Sequence, residues 1–266
     1  MQTYGILAHP VEHSQSPTIH NAGFEKLGID AEYVKFDIKK DELKDFMQRV
    51  RDEKIAGLSV SMPHKIEIMQ YLDYIEPAAK NMEAVNCVYW KNDKLCGTNT
   101  DYYGSIRALE EKTDLKGKKI VIFGAGGASH AIAYGLKEKG GIFTILDKTL
   151  QKSQELACKF KSEYGMSSAH SITKYDIIIN ATPLGMYPNT DTSILEAKDL
   201  ASHQIVYDIV YNPLNTKLIQ EAQKVGCQVV TGEKMFLYQG VKQFEIWTGK
   251  EAPVEAMEKA LMDKLV

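Results

Sequence analysis

The stretch Lys119-Ile-Val-Ile-Phe-Gly-Ala-Gly-Gly-Ala-Ser-His-Ala-Ile132 decides the fold of the middle of this chain. Apolar β-forming residues run directly into a glycine-rich turn, and an alanine-rich segment that favours a helix follows. This order of strand, glycine turn and helix is typical of the unit that opens a dinucleotide-binding domain. The glycines let the backbone approach a pyrophosphate, and the helix N-terminus offers it free N–H groups.

The residues after this unit support a dinucleotide site. Gly140-Gly141 ends the predicted helix, and the apolar run 142–146 predicts a second buried parallel strand. Asp147 follows that strand about 20 residues after the first glycine, where the fingerprint places a ribose-binding side chain. A nucleotide-free α/β domain is the alternative. The predicted cofactor contacts in this region are Gly124, Ala125, Gly126, Gly127, Ala128, Asp147, Lys148 and Thr149.

Composition and charge exclude several classes of protein. With 44% hydrophobic and 25% charged residues, the 266-residue chain is typical of a globular protein with one large or two modest domains. A net charge of −3 gives no electrostatic reason to expect nucleic-acid binding. The apolar runs are too short for a membrane span and no signal peptide is visible, so we expect a cytoplasmic protein. The four cysteines form no C-x-x-C pair, which predicts reduced thiols and no metal site.

The position of the glycine motif predicts two domains, because more than a hundred residues precede it. Strands and helices alternate on both sides of the motif, which indicates an α/β fold. We predict a substrate-binding domain of residues 1–102, completed by C-terminal helices in residues 234–266. Residues 103–233 are predicted to form a Rossmann-like parallel-sheet domain, with a cleft between the two.

Local signals predict individual elements. Ser16 is expected to cap a helix with Pro17 at its first position. The pair Asn92-Asp93 predicts a hairpin turn. A helix is expected over residues 65–72, and another over residues 152–164. Lysine at the N-terminus of a helix is electrostatically disfavoured, so a helix beginning at Lys65 requires a special reason for that residue.

Four polar clusters lie at predicted strand ends in the first part of the chain. Each one alone has an ordinary structural explanation, such as a helix cap or a solvated surface lysine. The clusters are Ser14-Gln-Ser16-Pro17, Ser59-Val-Ser61-Met-Pro63-His-Lys65, Ala84-Val-Asn86 and Asn99-Thr-Asp101-Tyr-Tyr-Gly104.

Together with later motifs, these clusters resemble the shikimate dehydrogenase family. Its members show S-x-S-P, N-V-T-x-P-x-K, A-x-N, N-T-D-x-x-G, G-A-G-G-A, N-A-T-P-x-G-M and a late glutamine, in this order. The chain continues the series with Gly124-Ala-Gly-Gly-Ala128, Asn180-Ala-Thr-Pro-Leu-Gly-Met186 and Tyr238-Gln239-Gly240, so the resemblance covers nearly its whole length. It implies reversible NADP-dependent reduction of 3-dehydroshikimate to shikimate, with hydride transfer to C3, in the biosynthesis of chorismate and the aromatic amino acids.

The resemblance also implies roles for individual residues. Lys65 would deliver the proton to the developing alkoxide, with Asp101 beside it as an acid–base pair. The implied substrate contacts are Ser14, Ser16, Ser61, Asn86, Tyr211 and Gln239. The further implied cofactor contacts are Thr182, Met186, Ile209 and Gly232, of which Met186 and Gly232 lie where the family places the nicotinamide. Core packing is an alternative explanation for Met186.

The chain departs from the family at positions that bear on the cofactor. Ser59 and Ser61 replace the usual asparagine and threonine, and Ser129-His130 stands where members commonly carry an arginine. Lys148 offers a point charge where NADP-specific members have an arginine that can grip a 2′-phosphate with two donors. Asp147 in a dinucleotide site commonly accepts from the ribose of NAD. We expect NADP, with NAD as the less favoured cofactor.

Three other functions compete with this one. A quinate/shikimate dehydrogenase that uses NAD is the main alternative. A non-catalytic dinucleotide sensor is opposed by the presence of both Lys65 and Asp101. A folate-type methylene dehydrogenase would share the two-domain plan, but no folate motif is visible. We expect a small-molecule substrate and either a monomer or a homodimer.

Overall fold

The computed structural model describes residues 1–169 and 171–265, which form two compact units. Unit 1 holds Met1–Thr100 and residues 239–265, and unit 2 holds Asp101–Tyr238. The chain therefore leaves unit 1, builds unit 2 and returns. Val266, the end of the predicted C-terminal segment, lies outside the described residues.

Unit 1 is built on a mixed six-stranded sheet. Its elements are β1 (Gln2–Ala8), α1 (Ser16–Lys26), β2 (Ala31–Asp37), α2 (Leu43–Asp52), β3 (Gly57–Val60), β4 (Tyr74–Ile75), α3 (Pro77–Met82), β5 (Cys87–Lys91) and β6 (Lys94–Thr98). The strand order is β2-β1-β3-β5-β6-β4. β1 runs parallel to β2 and β3, whereas β5 is antiparallel to β3 and β6. The parallel strands place the loops after β1 and β3 at the same edge of the sheet.

Unit 2 is built on a fully parallel six-stranded sheet. Its elements are α4 (Asp101–Glu110), β7 (Lys119–Phe123), α5 (Gly127–Glu138), β8 (Ile142–Asp147), α6 (Leu150–Phe160), β9 (Glu163–Met166), β10 (Ile177–Asn180), β11 (Ile205–Asp208), α7 (Lys217–Val225) and β12 (Gln228–Val230). The strand order β12-β11-β10-β7-β8-β9 reverses direction between β7 and β10. Ligands of such sheets bind at this switch point, beyond the carboxyl ends of the strands. The predicted α/β fold with a Rossmann-like parallel sheet is confirmed.

Two further helices complete the chain. α8 (Gly232–Thr248) contains the return from unit 2 to unit 1, and α9 (Val254–Leu265) packs against α1. Within unit 1, aromatic side chains of α8 contact those of β1 and α1. The ring centroids of Tyr4 and Trp247 lie 5.3 Å apart, as do those of Phe24 and Phe244. Among the described residues, no helix has both the length and the apolar character that a membrane crossing requires.

The clearest local patterns form the predicted elements. The apolar stripe of α2, which comprises Leu43, Phe46, Met47 and Val50, is buried in the core of unit 1. The hairpin between β5 and β6 turns at Asn92-Asp93, where φ is +51° and +57°. Positive φ at both central residues is the conformation that a two-residue hairpin turn requires.

The helix that begins at Ser16 is capped differently from the prediction. Ser16 is its first residue, Gln15 takes the cap position, and Pro17 is the second helical residue. The Ser14 hydroxyl oxygen accepts a hydrogen bond from the Ser16 N–H at 3.3 Å. The predicted cap was therefore wrong by one position, because the hydroxyl of Ser14 already reaches a free N–H of the first turn.

The predicted helix over residues 65–72 is wrong. The chain passes through turns to Ile66, and a short 3₁₀ helix covers Glu67–Tyr71. The Lys65 carbonyl accepts from the N–H of Val85 at 2.8 Å, in the segment before β5, so it is not available for a helical hydrogen bond. The argument that a helix dipole disfavours Lys65 therefore does not apply.

The predicted helix over residues 152–164 is too long. α6 ends at Phe160, and Lys161 takes a left-handed conformation with φ of +57°. The chain then forms the edge strand β9, in which Tyr164 pairs with Ile145 of β8. The left-handed residue ends the helix, and the reversed chain gains hydrogen bonds along the exposed edge of β8.

Candidate active site

The Lys65 turn of unit 1 is fixed by backbone hydrogen bonds. The N–H of Ser61 donates to the carbonyl of Leu7 at 2.9 Å, and the N–H of His64 donates to the carbonyl of Ser61 at 2.9 Å. The bond from Val85 to the Lys65 carbonyl secures the other side of the turn. Lys65 is half-buried. These hydrogen bonds therefore fix the backbone that carries the Lys65 side chain, at the ends of β1 and β3.

Asn86 brings together three parts of unit 1 that are far apart in sequence. Its side-chain oxygen accepts from the N–H of Thr100 at 2.6 Å, and its amide nitrogen donates to the side-chain oxygen of Gln239 at 3.4 Å. Asn86 is 2% exposed. The predicted substrate contacts Asn86 and Gln239 are thus neighbours. Sequence reasoning missed Thr100, which orients Asn86, although the residue lies inside the N-T-D motif.

Ser59 lies in the core beneath this group. Its hydroxyl accepts from the Tyr33 hydroxyl at 2.5 Å and donates to the side-chain oxygen of Gln243 at 2.5 Å. The Gln243 amide donates in turn to the carbonyl of Asn86 at 3.0 Å. The serine that replaces the family's asparagine at this position therefore supports the backbone of Asn86 from within the core.

The remaining serines lie at element ends of unit 1. Ser16 is buried at the first position of α1, Ser14 is half-buried just before it, and Ser61 is half-buried immediately after β3. Ser14 and Ser16 are joined by the capping hydrogen bond of α1. The loop after β1 thus carries Ser14 and the loop after β3 carries Ser61, as the parallel register requires.

The glycine loop of unit 2 has the form that a pyrophosphate site requires. Gly124 has φ of +105°, and a Cβ there would lie 2.9 Å from the carbonyl oxygen of Ala181. Gly126 caps α5, which begins at Gly127. Both residues are exposed, and a Cβ on either would meet no protein atom within 4 Å. The bare N-terminus of α5 is therefore open to an anion, with Ala125 and Ala128 beside it.

Asp147 is bonded to the glycine loop. One carboxylate oxygen accepts from the N–H of Ala125 at 3.0 Å, and the other accepts from the N–H of Thr149 at 2.8 Å. Lys148 and Lys152 are exposed next to it. The arrangement fits a dinucleotide with a 2′-phosphate, because two lysines supply positive charge and the Asp147 carboxylate is engaged by the backbone.

The loops after β10 and β11 carry predicted cofactor contacts and are joined through Asn180. The Thr182 hydroxyl donates to the side-chain oxygen of Asn180 at 2.7 Å, and the N–H of Ile209 donates to the carbonyl of Asn180 at 3.1 Å. A Cβ on Gly232 would collide with the carbonyl of Ile209, so only glycine fits there. Met186 is 46% exposed, which excludes core packing as its role.

The predicted reaction draws on residues of both units. Asp101 is the first residue of α4 in unit 2, and Tyr211 lies in the loop after β11 with its ring centroid 5.3 Å from that of Phe236. Burial raises the pKa of Tyr211, which keeps its hydroxyl a hydrogen-bond donor. Lys65 belongs to unit 1, so its pairing with Asp101 stays a prediction. Within residues 1–169 and 171–265, no cluster of three or more His, Cys, Asp or Glu is arranged to hold a metal ion.

Comparison with known proteins identifies the family. Models of the shikimate dehydrogenase substrate binding domain, of shikimate / quinate 5-dehydrogenase and of the shikimate 5'-dehydrogenase C-terminal domain match residues 6–88, 107–223 and 232–262. A shikimate dehydrogenase (NADP(+)) of Methanococcus maripaludis is 43% identical over 271 residues, which cover 98% of this chain and 96% of that protein.

Solved structures of shikimate dehydrogenases have the same fold as this chain. A crystal structure of a shikimate dehydrogenase in complex with NADP+ has a TM-score of 0.96 at 40% identity and covers 100% of this chain and 96% of its own. A shikimate 5-dehydrogenase from Listeria monocytogenes, in complex with shikimate and NAD, has a TM-score of 0.92 at 37% identity and covers 98% and 96%. Motifs, fold and relatives converge over nearly the whole length, and the chain belongs to the shikimate dehydrogenase family.

Proposed function

We propose that this chain catalyses the reversible NADPH-dependent reduction of 3-dehydroshikimate to shikimate, on the route to chorismate and the aromatic amino acids. The observation that carries the proposal is the match to NADP-dependent shikimate dehydrogenases at 43% identity over 98% of the chain. The proposed location is the cytoplasm, and the active form is a monomer or a homodimer.

The proposed division of labour follows the two units. Unit 1, with predicted limits 1–102 and 234–266, binds the substrate, and unit 2, with predicted limits 103–233, binds the cofactor. When bound, NADPH supplies the hydride that reduces C3 of the ketone. Lys65 donates the proton that the resulting alkoxide requires, so hydride and proton together give the secondary alcohol. Asp101 holds the Lys65 ammonium in place.

The proposed substrate contacts combine donors and acceptors. Ser14, Ser16 and Ser61 offer hydroxyls to the ring hydroxyls and carboxylate of the substrate, and Tyr211 donates to the carboxylate. The proposed contact of Asn86 with the substrate is supported by its hydrogen bonds, because Thr100 and Gln239 fix the Asn86 amide before a ligand binds. Gln239 would contact the substrate from the start of the returning segment.

NADP is the proposed cofactor, with NAD less favoured. Gly124, Ala125, Gly126, Gly127 and Ala128 would hold the pyrophosphate at the N-terminus of α5. Lys148 and Thr149 would bind the 2′-phosphate, because they are exposed beside the glycine loop. The binding of Asp147 to that loop supports NADP, since both of its oxygens accept from backbone N–H groups. Thr182, Met186, Ile209 and Gly232 would surround the nicotinamide.

A substrate and cofactor panel tests this proposal. Purified protein is assayed for NADPH oxidation with 3-dehydroshikimate and with 3-dehydroquinate, and for reduction of NADP and NAD with shikimate and quinate. We expect 3-dehydroshikimate and NADP to give kcat/KM values at least about tenfold above the alternatives, a difference of about 1.4 kcal/mol in transition-state binding. A preference for quinate with NAD would identify the alternative enzyme, and cofactor binding without turnover of any substrate would indicate a sensor.

A further inference from the structure

A buried carboxylate that the proposed reaction does not use lies at the end of β11. Asp208 is 0% exposed. One of its oxygens accepts from the Asn180 amide at 2.9 Å and from the N–H of Val210 at 3.1 Å, and the other accepts from the Thr216 hydroxyl at 2.7 Å. Burial raises the pKa of Asp208 to about 6. Burying a carboxylate costs free energy. A buried carboxylate that accepts three hydrogen bonds therefore indicates that these bonds hold the structure around it in place.

The first arm of this network reaches the loop after β10. Asn180 is 1% exposed and donates to Asp208, while its side-chain oxygen accepts from both the N–H and the hydroxyl of Thr182, at 3.1 and 2.7 Å. The Asn180 amide also donates to the carbonyl of Leu184 at 3.2 Å. Asp208 therefore fixes the Asn180 amide, and through it the position of Thr182.

The second arm reaches the loop after β11. Val210 donates its N–H to Asp208 directly and immediately follows Ile209. Thr216 donates to Asp208 and caps α7, where its oxygen accepts from the N–H of Ile219 at 3.3 Å. Both ends of the loop after β11 are thus bound to the same carboxylate that orients the loop after β10.

We propose that Asp208 is a positioning residue for cofactor binding, whose buried carboxylate holds the loops after β10 and β11 in the arrangement that the nicotinamide of NADPH requires. The proposal rests on the proposed function, which assigns Thr182 and Ile209 to the nicotinamide. Asp208 acts through Asn180, Val210 and Thr216 and does not itself touch the cofactor.

Two substitutions at Asp208 separate geometry from charge. In Asp208→Asn, the amide oxygen can accept from Asn180 and Val210, and the amide nitrogen can donate to the Thr216 hydroxyl. Asp208→Leu keeps the branch at Cγ, is somewhat larger, and removes the acceptor of all three hydrogen bonds. We expect Asp208→Leu to raise the Kd for NADPH by about tenfold, equivalent to about 1.4 kcal/mol, and Asp208→Asn to restore binding to within about threefold of wild type. NADPH fluorescence titration without substrate measures both values.

Gln204 provides a matched control at the other end of β11. It is also 0% exposed, its amide donates to the carbonyls of Ile172 and Tyr175 at 2.9 and 3.0 Å, and its oxygen accepts from the N–H of Ala201 at 2.9 Å. Gln204→Leu should lower the thermal midpoint as Asp208→Leu does, while leaving the Kd for NADPH within about twofold of wild type. An equal effect of both substitutions on Kd would show a general structural role and overturn the proposal.

A milder variant keeps the test decisive if Asp208→Leu does not fold. Thr216→Val is nearly isosteric and removes one of the three hydrogen bonds to Asp208 together with the cap of α7, so we expect a rise of about threefold in Kd for NADPH. An unchanged Kd in this variant contradicts the proposal. The proposed function fails separately: wild-type protein that binds NADPH and leaves 3-dehydroshikimate unreduced would overturn the reaction and leave the positioning role intact.

Discussion

At the scale of single residues, Lys65 carries the strongest chemical prediction. Lys65→Met keeps the length of the side chain and removes its transferable proton. We expect kcat for 3-dehydroshikimate reduction to fall by about 10²- to 10⁴-fold while the substrate KM changes by about threefold or less. Steady-state kinetics measure both constants, and Lys112→Met on an exposed lysine serves as the control. A steep rise in KM with unchanged kcat would assign Lys65 to substrate binding instead.

Asp147 allows a prediction about cofactor choice at the same scale. Asp147→Ala removes the two acceptors that bind the N–H groups of Ala125 and Thr149. Because the bond to Ala125 shapes the glycine loop for either dinucleotide, we expect the KM values for NADP and NAD to rise together by about tenfold. Their ratio is measured on one protein preparation. A gain in kcat/KM for NADP with a loss for NAD would show instead that Asp147 contacts the ribose.

At the scale of elements, the glycine loop separates folding from cofactor binding. Gly124→Ala should lower the free energy of unfolding by about 1–3 kcal/mol, because φ is +105° and the new methyl would press against Ala181. Gly126→Ala should change it by about 0.5 kcal/mol or less, since a Cβ there meets no protein atom, yet it should raise the KM for NADP by blocking the open helix end. Urea unfolding and cofactor kinetics measure the two effects. Equal loss of stability in both variants would contradict this division.

The elements also show what a sequence can predict and what it cannot. The apolar stripe of α2 and the Asn92-Asp93 turn are local signals, and both formed as predicted. The prediction of a helix over residues 65–72 failed because the Lys65 carbonyl is hydrogen-bonded to Val85, a partner that no local pattern identifies. Edge strand β9, whose first residues were predicted as helix, was missed for the same reason, since it forms by pairing with β8.

In the candidate site too, local motifs were predictable from the sequence and contacts between distant residues were not. The polar clusters at strand ends were visible as motifs, because chemistry at these positions requires particular residue types. The contacts that orient them were not visible, since Thr100 fixes Asn86 from the end of the neighbouring strand and Asp208 accepts hydrogen bonds from residues 180, 210 and 216. Such hydrogen-bond networks join residues that are far apart in the sequence, and the spacing of residues along the chain does not predict these contacts.

At the scale of the whole molecule, two buried groups change the free energy of unfolding in opposite directions as the pH falls. Burial lowers the pKa of His20 to about 3, below its ordinary value of 6.5. The unfolded chain then binds the proton first, so stability from His20 is complete above pH 6.5 and is lost as the pH falls below it. Asp208 has the reverse sign: its pKa is raised to about 6 from 3.8, so its protonation between these values stabilises the fold as the pH falls.

His20→Phe tests the larger of these effects. His20 is 0% exposed and stacks on Tyr33 with ring centroids 4.5 Å apart, so phenylalanine can keep the packing. Wild type should lose about 2 kcal/mol through His20 between pH 6.5 and pH 5, and the variant should lack this loss. Urea unfolding at a series of pH values measures it. Parallel curves for the two proteins would show that His20 does not drive the acid response.

The order of elements along the chain has a consequence for how the protein is made. The core of unit 1 includes Met257 and Leu261 of α9, both fully buried, and α9 packs on α1. A ribosome releases α1 first and α9 only after all of unit 2, which is a single continuous stretch. Unit 2 can therefore complete its fold during synthesis, whereas the apolar face of α1 that α9 covers stays exposed until α9 has been made.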